Sequence, residues 1–136
     1  MTMTEPAFPV QIVRGVPVVT APQEVDITNA SRLRAALLQA AARPGPVLVV
    51  DMTRTRFCDS AGLHALIGAH KRARAEGRQV RLAVTGAQVR RILALTALDR
   101  LIPVCTSLDQ ALARPPARRR RPRTGPLTAG RSPPDC

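Results

Sequence analysis

Val47-Leu48-Val49-Val50 is an unbroken aliphatic run, closed on its amino side by Pro44-Gly45-Pro46 and followed by Asp51. So few residues after such breakers cannot make a helix, so the run is a strand. It carries no polar side chain on either face before Asp51. It must therefore be covered on both faces, as interior strands of parallel sheets are. Helical patterns stand on either side of it. Asp26-Ile27-Thr28-Asn29 is rich in N-cap residues and precedes Ala30, Leu33, Leu37, Leu38 and Ala41, which share helical spacing. Leu63, Leu66, Ile67 and His70 repeat that spacing downstream. Gly77 ends this second helix, after Lys71, Arg72 and Arg74, whose charges suit the negative end of a helix dipole.

The rest of the chain extends the alternation. Gln11–Arg14 and Val16–Thr20 flank Gly15 and read as a hairpin or a broken strand. Pro17 limits the second piece to a strand start or an edge. Residues 52–59 read as a connection. Gln79–Val84 is a further strand, and 87–95 a third helix with Val89, Ile92 and Leu93 inward. Ile102–Cys105 is a short last strand, and Ser107–Ala113 a last helix capped by Ser107. The order β-β-α-β-α-β-α-β-α predicts an α/β fold with a mixed, mostly parallel central sheet and about four helices. Residues 1–9 read as a loose lead-in and 10–113 as one domain. From Arg114 to Cys136 the chain is rich in Arg and Pro, has little to bury and is expected to be disordered.

Composition removes several function classes. Hydrophobic residues make up 45% of the chain, yet Phe8 and Phe57 are its only aromatics, so the core must be aliphatic. The formal net charge is +12, of which residues 114–136 supply +6 through seven Arg and one Asp. Such a tail could draw nucleic acid weakly. An Arg-, Ala- and Pro-rich chain with Lys71 as its sole lysine also matches the output of a GC-rich coding sequence. The aromatic platforms that bind single strands are missing, and no recognition helix stands out. Cys58, Cys105 and Cys136 are widely spaced and odd in number, which argues against a disulfide frame. Together with His64 and His70 they make no metal spacing, and no metal or cofactor is expected. No secretory signal or membrane span is visible, so the expected address is cytoplasmic, with no membrane partner. There is no Gly-x-Ser-x-Gly elbow, phosphate-binding loop or dinucleotide fingerprint, so the chain does not read as an enzyme.

One run carries chemistry. Phe57-Cys58-Asp59-Ser60-Ala61-Gly62-Leu63 lies between the buried strand and the second helix. Taken alone, Asp59-Ser60 before a helix is a cap signal. Taken with Val47–Asp51, Val18-Val19-Thr20 ahead of Asp26, Gln88–Leu93 and Leu108–Leu112, it resembles the signature of STAS domains. The nearest type is the single-domain bacterial anti-sigma factor antagonist. The resemblance covers roughly residues 10–113. Two positions depart from the family's pattern: Glu24 stands where Gly is common, and Thr96-Ala97-Leu98 lacks a Gly after the third helix.

What the resemblance implies is a STAS-like fold and a partner switch in transcription regulation. The unphosphorylated protein would bind an anti-sigma factor that is also a serine kinase and so release a sigma factor. Phosphorylation at Ser60 would end that binding, and a serine phosphatase would reset it. Asp26, Asn29, Asp59, Ala61, Gly62 and Leu63 are the expected partner-binding residues, Ala61 and Gly62 because they let a partner backbone come close. Asp26 with Asn29, and Asp59, can equally be read as helix caps. The alternatives are an unphosphorylated STAS scaffold, or a nucleic-acid-associated protein acting through its tail.

Overall fold

The computed structural model describes residues 8–113. The expected lead-in (in part) and the Arg/Pro-rich tail lie outside them. In chain order the elements are β1 (Val10–Val13), β2 (Val16–Thr20), β3 (Glu24–Val25), α1 (Ala30–Ala41), β4 (Val47–Met52), β5 (Phe57–Cys58), α2 (Ser60–Ala75), β6 (Gln79–Val84), α3 (Ala87–Leu95), a 3-10 turn at Leu98–Arg100, β7 (Val104–Cys105) and α4 (Leu108–Leu112).

Five strands form one sheet in the order β1-β2-β4-β6-β7. Only β1 and β2 are antiparallel; the other pairs are parallel. The aliphatic run is thus the middle strand. Its Val47, Leu48, Val49 and Val50 are all buried. The β1–β2 hairpin turns through Arg14 and Gly15, both at positive φ, as a two-residue hairpin loop matching the sheet twist requires. Pro17 sits at the start of β2, opposite Ile12 and one residue before the pairing with β4 begins at Val18. A missing N–H costs the sheet nothing there, although β2 is an interior strand.

Alternation divides the core. Val19, Leu48, Val50, Leu82 and Val84 face α1, α2 and α3, meeting Leu33, Leu37, Leu66, Val89 and Leu93. Val18, Val49 and Ala83 face the other way, toward Ala111 and Leu112 of α4. On that second face Arg81 is buried. Its guanidinium donates to the carbonyls of Ala111 and Ala113, satisfying the end of α4. Burial holds the Arg81 pKa below its usual value.

Three expectations are corrected. Leu38 is 50% exposed, because Leu33, Ala36, Leu37 and Ala40 already fill the buried face of α1. The last strand is only Val104–Cys105. Residues 52–59 are more than a connection, since they contain β5, which pairs in parallel with β3 as a separate two-stranded sheet. That small sheet carries the second helix and the Ser60 run.

Candidate functional site

The chain leaves β4 at the carboxyl end of the sheet and is pinned at once. The Asp51 carboxylate accepts from the N–H and hydroxyl of Thr53, at 3.0 and 2.7 Å. Buried Thr55 donates its hydroxyl to the Pro22 carbonyl at 2.8 Å. The Arg56 and Phe57 N–H groups donate to Gln23. β5 then pairs with β3, and the Asp59 N–H donates to the Val25 carbonyl at 3.0 Å. The start of α2 is therefore anchored by backbone to residues 22–25.

Asp59 and Ser60 have different duties. Asp59 is the N-cap of α2: its Oδ1 accepts from the N–H groups of Ala61 and Gly62, at 2.9 and 3.2 Å. Its Oδ2 accepts from the Ile27 N–H at 3.2 Å, which ties the loop before α1 to the start of α2. Ser60 is the first helical residue, is exposed, and its hydroxyl is bonded to no other described group. Capping accounts for Asp59 and leaves the Ser60 hydroxyl free.

The structure gives Gly62 a different reason for being small. A Cβ there would stand 2.7 Å from Val25 Cγ1 and 2.8 Å from Cys58 Sγ. Gly62 and Leu63 are both buried, Gly62 against the small sheet and Leu63 in the core. Ala61 is only half-buried. Cys58 lies beneath, 1% exposed, and burial followed by the charge of Asp59 pushes its thiol pKa up to about 12. It is a packed thiol at neutral pH and no nucleophile.

Asp26 and Asn29 come together as a self-bonded loop. Asp26 accepts from the hydroxyl and N–H of Thr28, and these bonds hold its carboxyl below the usual value. Asn29 Oδ1 accepts from the Asp26 N–H at 2.9 Å, and its Nδ2 donates to the Glu24 carbonyl at 3.0 Å. Asn29 thus braces the loop and gives α1 no side-chain cap. Asp26 and Asn29 line an open basin of about 700 Å³, with Glu24, Thr28 and Arg54 on its walls.

Two exposed apolar residues of this end were not among the expected partner-binding positions. Ile27 is 77% exposed, held beside Asp59 by its own N–H. Phe57 is 46% exposed, three residues before Ser60. The signal for Ile27 was available: a large aliphatic amid cap residues, out of phase with the helix that follows. His64 is exposed. His70 is buried on α2. Among the described residues no group of His, Cys, Asp and Glu could hold a metal ion, and no helix is long and apolar enough to cross a membrane.

Comparison with known proteins agrees with this architecture. The STAS domain model matches residues 7–111. An anti-sigma factor antagonist from Mycobacterium paratuberculosis is 31% identical, with a TM-score of 0.71 over 77% of this chain and 89% of that one. An anti-sigma-factor antagonist domain protein from Planctomyces limnophilus is 22% identical, with a TM-score of 0.67 over 77% and 93%. The Bacillus protein SpoIIAA matches in its phosphorylated form at 18% identity and a TM-score of 0.60, over 78% and 96%. These likenesses, the central parallel strand and the Asp59-capped helix start agree: the chain belongs to the STAS domain family and resembles its anti-sigma factor antagonists.

Proposed function

We propose that this protein is an anti-sigma factor antagonist switched at Ser60. Unphosphorylated, it binds an anti-sigma factor that is also a serine kinase, and a sigma factor is released. Phosphate on Ser60 ends that binding, and a serine phosphatase restores it. The observation that carries the reading is the division of labour at the start of α2. Asp59 does the capping, and Ser60 presents an exposed, unbonded hydroxyl on a backbone fixed by β3 and β5. A kinase needs such a hydroxyl for in-line attack, and it brings nucleotide and metal itself.

The same place tolerates the product. A phosphate adds roughly −1.5 to −2 charges, and the dipole at a helix N-terminus favours an anion. A fold neighbour, SpoIIAA, has a phosphorylated form of the same fold, which supports a modification that leaves the domain folded. The effect then falls on the interface. Bulk and charge would arrive beside Asp59 and beside Ile27, whose exposed side chain is suited to be an apolar anchor for the partner.

Ser60→Ala and Ser60→Asp test this. Both variants should keep the wild-type thermal midpoint to within a few degrees. Ser60→Ala should bind the kinase, and Ser60→Asp should bind it at least about tenfold more weakly, the equivalent of about 1.4 kcal/mol. Equal binding by the two variants would defeat the proposal.

A further inference from the structure

The groove between α1 and α2 is lined by none of the residues assigned to that switch. It encloses about 240 Å³ and runs toward the carboxyl ends of both helices, away from Ser60. It exists because α2 lines it with Ala65, Gly68 and Ala69, residues too small to close the gap to α1. A Cβ on Gly68 would meet nothing within 4 Å. Leu38, on the flank of the buried face of α1, stands half exposed at the groove's edge.

The rim is mainly cationic. Arg34 and Arg72 line it, both exposed and neither bonded to any described group. The one carboxylate nearby, Glu76, is already engaged by Arg78 at 3.5 Å. An apolar recess with a few placed polar groups is the general form of a small-molecule site. Two unpaired guanidinium groups select an anionic head, and carboxylate suits their planar donors.

We propose that this groove binds a free acyl carboxylate of medium length. The chain lies along Ala65, Gly68 and Ala69, and the carboxylate sits between Arg34 and Arg72. The volume sets the length, since it falls below the roughly 300–1,000 Å³ of pockets for larger ligands. The apolar surface is recessed between helices, which fits a free chain better than a bilayer face.

Octanoate, below its micellar concentration, is the probe, titrated into the full chain and followed by amide and methyl chemical shifts. Saturable binding is expected, with shifts confined to α1 and α2. Affinity should rise roughly fourfold for each methylene added until the groove is full. The matching neutral alcohol should bind at least about tenfold more weakly, as expected when a charge-assisted contact is lost. Gly68→Leu should abolish binding of both. Arg34→Gln with Arg72→Gln should reduce octanoate to the level of the alcohol. Absence of saturable binding, octanoate binding undiminished in Gly68→Leu, or equal affinity for acid and alcohol would each overturn the proposal. So would binding to anionic vesicles without binding of the free acid. Should Gly68→Leu fail to fold, unchanged octanoate affinity in the arginine double variant overturns it alone.

Discussion

At the scale of single residues, the start of α2 is built from side chains with separate tasks. Asp59 caps and ties, Ser60 is left free, and Gly62 makes room. The last is open to direct measurement. Gly62→Ala should lower the urea unfolding free energy by about 1–3 kcal/mol, the usual range for overpacking, despite alanine's better helix propensity. An unchanged midpoint would mean that Val25 and Cys58 move aside freely. His70 gives a second test. Burial first, then Arg74 and Lys71, holds its pKa below 6.5. Folding therefore favours the neutral ring, and the unfolded chain binds more protons as pH falls below 6.5. Stability should be full above that pH and fall on acidification through the lowered pKa. His70→Leu should flatten this slope in urea titrations between about pH 7.5 and 5.5; an equal slope in both proteins would refute it. The run around Ser60 could be found in the sequence. Which residue of Asp59-Ser60 caps the helix could not, because the cap depends on which carboxylate oxygen meets which N–H. Nor could the reason for Gly62 be seen, since Val25 touches it only through the small sheet.

At the scale of elements, legibility followed length and breakers. β6 and α3 stand where periodicity places them, and β4, bounded by Pro46, runs only one residue past its expected end at Asp51. β3 and β5 have two residues each, too few for any period, and were invisible. Leu38 fits a helical repeat but lies on the flank of the stripe, where only the position of α2 decides its burial. The end of α3 was legible as an anomaly. Ala97 follows the helix with φ 62 and ψ 15, a left-handed residue where glycine is the unstrained choice. Ala97→Gly should therefore stabilise the domain by about 0.5–1 kcal/mol, strain relief outweighing the added chain entropy of glycine. Thermal denaturation would show it as a rise in midpoint, and a fall would show that the strain is relieved in some other way.

At the scale of the whole molecule, the two ends of the sheet differ in charge. Glu24, Asp26, Asp51 and Asp59 gather at the carboxyl end of the strands, tempered by Arg54 and Arg56. Arg43, Lys71, Arg72, Arg74 and Arg78 gather at the other end, where Arg78 donates to the carbonyls of Ala41, Arg43 and Gly45 and closes α1. A phosphate on Ser60 would thus join the acidic end and deepen a contrast already present. The α/β class and the central parallel strands were legible from the chain because burial on both faces leaves an aliphatic run no other place. The groove between α1 and α2 was not, since it comes from small residues on one helix meeting a flank of another. The proposed switch turns on one hydroxyl. Incubation of the protein with a candidate anti-sigma factor kinase and ATP, followed by mass spectrometry of the digest, should find one phosphate, on Ser60. Phosphate on another residue, or none with a kinase that binds the protein, would contradict it.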